Sequence, residues 1–139
     1  MHDKGLNDNL GAIHSAERMA ELLSLKIAYP GLTHLNKLRY CKFAWFSKDA
    51  KNIFDQDKKA KIEIEHIFPK RIYTKELLCK IDEEAENKDI TKWIIENFKL
   101  ALLTPKERAE LDKVNRTRMC PDRLKAANID MCDEPPRAL

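Results

Sequence analysis

Glu65 and His66 stand side by side in the stretch IEIEHIFPKRIY, residues 62–73, followed by Pro69 and by the adjacent cations Lys70 and Arg71. A carboxylate is a hard ligand for a divalent cation. An imidazole, with an ordinary pKa of about 6.5, takes a proton from water near neutrality. Lysine and arginine attract phosphate oxygens. Together these residue types suit metal-assisted attack of water on a phosphodiester. The plainer alternative is an ordinary strand end with a charged lip.

The elements that must position this pair follow from periodicity and punctuation. Residues 61–68 alternate as a strand, which sends Ile62, Ile64 and His66 to one face and Glu63 and Glu65 to the other. The pair serves one site only if the strand ends or bends there, and Pro69 makes an ending plausible. Residues 74–88 read as an amphipathic helix with Leu77, Leu78 and Ile81 inward, and 90–97 as a short helix or an irregular connector. The apolar run 98–104 is a second strand. Thr104-Pro105, with Glu107 in the capping-box position, then starts a helix over 105–115.

Upstream, Ile13, Ala16, Ala20, Leu23 and Ile27 recur at helical spacing over 9–28, and the segment YPGL breaks that helix. Thr33 caps an expected second helix reaching Ser47, with Leu35, Leu38, Cys41 and Trp45 as its buried stripe. A polar short helix and a loop fill the interval before the first strand. The tail after Met119 is irregular, with one helical turn over 122–128.

The chain has 139 residues, 43% hydrophobic and 35% charged, which suits one soluble globular domain and argues against wholesale disorder. The net charge of +3 is unevenly spread: 58–75 holds six Lys/Arg against two Glu, and 105–125 seven against four acids. The intervening 76–96 holds seven acids against three lysines and reads as a solvated helix face. Two basic segments can form a nucleic-acid face if the fold unites them. Cys41, Cys79, Cys120 and Cys132 form no C-x-x-C pair, so a structural zinc is a minor expectation. No apolar run approaches membrane-spanning length, and free thiols in a reducing cytoplasm are the expected setting.

The segment EHIFPK, followed by ENFKLALLTPKER, resembles the HNH (His-Me finger) nuclease motif. The resemblance is closest to the C-terminal HNH domain of GmrSD-type, modification-dependent restriction enzymes, where a helix like LNKLRYCKF precedes the strand. It covers about residues 35–115. It implies a ββα-metal core over 58–118; with the helical N-terminal part over 9–47 packed on it and the irregular tail over 119–139, the expected fold is α+β. It also implies a DNA endonuclease in restriction or phage defence, using one Mg²⁺ or Mn²⁺ and leaving a 5′-phosphate.

On that resemblance His66 is the general base, Glu65 a metal ligand, and Asn97 the residue that holds the histidine loop. Lys70, Arg71, Arg116 and Arg118 contact backbone phosphates. One position departs from the motif: the helix residue that is usually a metal-ligating Asn or His is Arg108, which has no lone pair for a metal. Either Glu107 substitutes as ligand, or Glu65, water and phosphate hold the metal alone, or the site is inactive. Arg108 then joins the phosphate contacts. The alternative function is a ββα scaffold that binds nucleic acid or protein without hydrolysis. The first helix is the expected contact for a partner protein or a second copy.

Overall fold

The computed structural model describes residues 10–117 and 123–137. Its elements run α1 (Leu10–Ala28), a 3-10 turn (Leu35–Tyr40), α2 (Lys48–Gln56), β1 (Glu63–His66), α3 (Lys70–Asp82), α4 (Asn87–Asn97), β2 (Leu100–Leu103), α5 (Pro105–Thr117) and α6 (Arg123–Ala126). This is a mixed architecture of helices and a two-stranded antiparallel sheet, consistent with the α+β expectation. No helix among the described residues is long and apolar enough to cross a membrane. The chain divides into two compact units, each assembled from separate stretches.

The second unit spans His34–Ile67 and Leu100–Pro136. β1 pairs antiparallel with β2 in the register Glu63↔Leu103 to His66↔Leu100. On the other edge of β2, Leu102 donates to the Trp45 carbonyl at 2.8 Å and accepts from the Ser47 amide at 2.9 Å. Ser47 in turn faces Met131 across an antiparallel bridge. β2 is therefore hydrogen-bonded on both edges, and all four of its residues are buried. Ala101, Leu103, Leu111 and Ile129 form a core cluster, with Trp45, Ile67 and Leu124 packed against it.

The expected helix over 33–47 is corrected here. Helical geometry stops at Tyr40, and 44–47 is extended. Intrinsic preference loses to the open edge of β2, whose buried N–H and C=O groups need partners. Trp45 accordingly leaves the helical stripe, and its indole N–H donates to the Cys132 carbonyl at 2.8 Å.

The first unit holds α1, α3 and α4 with Arg137. α1 buries Ala20, Ser24 and Ala28, a stripe of small side chains four residues apart. Leu23, expected inward, is 42% exposed, and Met19 is 70% exposed. Periodicity locates an amphipathic helix but not which edge meets a neighbour. That edge is chosen by Ser24, whose hydroxyl lies 2.6 Å from the Tyr73 hydroxyl of α3. On α3 the buried residues are Tyr73, Thr74 and Leu77, whereas Leu78 and Ile81, also expected inward, are about half exposed.

α3 starts at Lys70, four residues earlier than expected, and ends before Glu84, whose φ of 58° is left-handed. Tyr73 stacks on Trp93 with ring centroids 4.9 Å apart and meets Phe98 at 5.5 Å. Trp93 is half-buried within this aromatic group. Arg137 closes the end of α4, donating to the carbonyls of Ile95 at 2.9 Å and Phe98 at 2.5 Å.

Burial pushes the Tyr73 phenol up to about 12, the Ser24 hydrogen bond opposing it. An unfolded tyrosine ionises near its model value of 10.0, so between these pH values the unfolded chain has lost a proton that the folded chain keeps. Stability contributed by the neutral phenol is intact below the lower value and is lost as pH rises toward the upper one. Thermal melting across this alkaline range is expected to show a steeper decline for the wild type than for Tyr73→Phe. Parallel declines would contradict the burial of the phenol.

Candidate functional site

Glu65 is the buried residue of β1, at 8% exposure, although the alternation in sequence favours the isoleucine face. Cross-strand partners share a face, so Glu65 lies with Ala101 on the side of Leu103 and Leu111. A lone buried carboxylate there is costly. Two guanidinium groups offset it. Arg108 of α5 places Nε 3.3 Å from Glu65 Oε1, and Arg123 of α6 places Nη1 3.0 Å from Oε2.

The two arginines also hold backbone. Arg108 Nη1 donates to the Ile64 carbonyl at 3.1 Å, and Arg123 Nη2 donates to the carbonyls of His66 and of Ile67, the latter at 2.9 Å. Arg108 Nε is enclosed and lacks a hydrogen bond of good direction, so its approach to Glu65 is an ion pair rather than a hydrogen bond. Asp112 lies 3.6 Å from the same nitrogen.

β1 runs through His66, so alternation holds across the pair. His66 is paired with Leu100 and shares its face, opposite to that of Glu65. The side-by-side carboxylate and imidazole therefore leave the strand in opposite directions, with Glu65 turned into the arginine pair. His66 is half-buried, at the last position of the strand.

Glu107, the expected substitute ligand, is 9% exposed and serves the capping box that its spacing also allowed. Its Oε1 accepts from the Thr104 amide at 2.9 Å, and its own amide donates to Thr104 Oγ1 at 3.1 Å. The same Oε1 takes the Ser47 hydroxyl at 2.5 Å. Ser47 Oγ is also the N-cap of α2, accepting from the Ala50 amide at 3.0 Å.

A divalent cation does not fit this donor set. Both Glu65 oxygens face guanidinium groups and a Glu107 oxygen already accepts two hydrogen bonds. No group of three or more His, Cys, Asp or Glu side chains among the described residues could hold a metal ion. The same holds for a zinc at Cys132; Cys120 lies outside the described residues.

Other expected site residues are engaged elsewhere. Asn97 is the last residue of α4, and its amide donates to the Trp93 carbonyl of its own helix at 2.8 Å, so it pins the helix end instead of a histidine loop. Lys70 and Arg71 lie 3.4 Å from the carboxylates of Glu21 and Glu17 on α1. The Arg116 side chain and Arg118 lie outside the described residues. Sequence reasoning missed Arg123: an arginine in an irregular tail carries no periodic or motif signal. It also missed Ser47, read only as the end of a helix. No family model, curated protein or solved structure matches this chain.

Exchanging Glu65 for Gln removes the charge that compensates two arginines, one of them 13% exposed. Equilibrium denaturation is expected to show a loss of about 3 kcal/mol or more. An unchanged midpoint would deny that the carboxylate neutralises the pair. Ser47→Ala and Glu107→Ala should each cost about 1–2 kcal/mol. Their double-mutant cycle should be non-additive, because both act on one hydrogen bond; strict additivity would refute the shared node.

Proposed function

We propose that this chain is a nucleic-acid-binding module on a ββα scaffold of the His-Me finger kind, with an internal guanidinium–carboxylate cluster in place of a nuclease metal. The observation that carries this reading is Glu65 held between Arg108 and Arg123. Arg108 occupies the helix position where the resemblance calls for a ligand, and its charge neutralises the one carboxylate a metal would need. The order strand, excursion, strand, helix supports the scaffold. The charge distribution supports a polyanionic partner: the second unit holds 15 Lys/Arg against 12 Asp/Glu, while the first is balanced at 11 of each. By the same resemblance the partner is DNA and the setting restriction or phage defence in the cytoplasm. A protein partner or second copy is the reading for α1, which leaves Met19 and Leu22 exposed.

A second reading keeps hydrolysis, with His66 as general base and Mg²⁺ or Mn²⁺ as cofactor. The position of the histidine at the end of β1 favours it. One assay separates the two. Supercoiled plasmid is incubated with the protein in Mg²⁺ or Mn²⁺, beside His66→Ala and Arg108→Asn, while fluorescence anisotropy follows DNA binding. The expected result is metal-independent binding without nicking. Metal-dependent nicking by the wild type that His66→Ala abolishes would establish the nuclease instead. Nicking gained only in Arg108→Asn would show that the arginine displaced a ligand.

A further inference from the structure

Lys70, Arg71 and Arg108, expected to meet phosphate, are matched by carboxylates, yet another set of cations within the second unit is gathered around a cleft. This cleft, of about 650 Å³, is lined by Arg39, Tyr40, Lys42, Lys51 and Lys58, with Asp133 the one acidic side chain among the described residues that line it. Its floor is a row of rings: Tyr40 to Phe54 at 5.7 Å and Phe54 to Phe46 at 5.1 Å between centroids.

The two phenylalanines are buried, and their faces seat ammonium groups. Lys58 Nζ lies 4.3 Å from the Phe54 centroid, and Lys51 Nζ lies 5.2 Å from that of Phe46. Cation–π contact of this kind is worth about 0.5–1 kcal/mol at exposed sites. It holds each lysine head in place without neutralising it. Asp55 approaches both lysines, at 3.3 Å and 3.6 Å, but is half exposed and is shared between two cations. Arg39 and Tyr40 fix the loop that carries Lys58: Arg39 Nη1 donates to the Ala60 carbonyl at 2.6 Å, and the Tyr40 hydroxyl to the Lys58 carbonyl at 3.1 Å.

Tyr40 differs from the other two rings in being 59% exposed. A flat aromatic face at the mouth of a basic cleft is matched by a ligand with a planar base and an anionic backbone. A base paired inside a duplex cannot reach such a face, whereas an unpaired one can. We propose that this cleft binds single-stranded nucleic acid, one base stacking on Tyr40 and the adjoining phosphates meeting Lys42, Lys51 and Lys58. The inference rests on the nucleic-acid reading above and names its site and strand form.

The test uses the full chain and fluorescence anisotropy with a labelled oligothymidylate, a duplex of equal length, AMP and polyglutamate as competitors. Tyr40→Leu is expected to weaken single-strand binding at least about fivefold, the lower end of a stacking contribution. Tyr40→Phe, which keeps the ring and loses the hydroxyl, should restore it. The pair Lys51→Gln with Lys58→Gln should lower the magnitude of the salt slope by about 1.4, two single-strand phosphate contacts. Circular dichroism confirms that each variant folds.

Single-strand affinity unchanged in all these variants would overturn the cleft and leave the nucleic-acid reading standing. Absence of binding to both the single strand and the duplex would overturn both. Tighter binding of AMP than of the oligonucleotide would reassign the cleft to a free nucleotide. Polyglutamate competition that is indifferent to Tyr40 would reduce it to a plain anion site. Either result overturns the proposal.

Discussion

A carboxylate buried on a four-residue strand has to be neutralised, and the organisation of the second unit follows from how Glu65 achieves this. Its counter-charges come from α5 and α6, so the ion pairs tie strand, helix and tail together. Arg123 does more than balance charge. By donating to the carbonyls of His66 and Ile67 it satisfies the backbone where β1 stops. A four-residue helix such as α6 has little packing of its own, and this cluster gives it a fixed place. Buried ion pairs of this kind add little net stability compared with apolar packing, but removing one member is expensive. Their effect is to permit one arrangement and penalise others.

A second polar node lies at Glu107, adjacent in sequence to Arg108 but with a different task. Neighbouring positions on a helix point about 100° apart, so Glu107 turns back to its own first turn while Arg108 reaches β1. Through Ser47 the Glu107 carboxylate also links the start of α5 to the start of α2. α5 therefore carries structural contacts at both Glu107, expected as a substitute ligand, and Arg108, the departure from the expected ligand type.

Surface cations likewise divide by what stands opposite. Lys70 and Arg71 each face a separate carboxylate of α1, whereas Lys51 and Lys58 share the one half-exposed carboxylate of Asp55 and sit over aromatic rings. A ring face orders an ammonium group without cancelling its charge, so the second pair retains more of its field for an incoming anion. Counting basic residues along the chain cannot separate these cases, because the difference lies in neighbours from other elements.

Much of the fold was legible from local chemistry. The Thr104-Pro105-Glu107 cap, the first helix, the polar short helix and the two strands all depend on residues within about four positions of each other, and each forms close to where it is expected. The extended path of residues 44–47 was not legible, because it answers the open edge of β2. Nor was the buried edge of α1, which depends on Tyr73, 49 positions from Ser24. Likewise Glu65 and His66 were legible as residues able to do chemistry, and only the tertiary structure decided what they meet. The register separates their faces. The arginines that occupy the carboxylate also hold carbonyls 44 and 57 positions away in sequence. Sequence by itself determined the local elements, because caps and periodicity act over one or two turns. Folding decided the site, because a buried charge is compensated by whichever opposite charge the whole chain brings within a few ångströms.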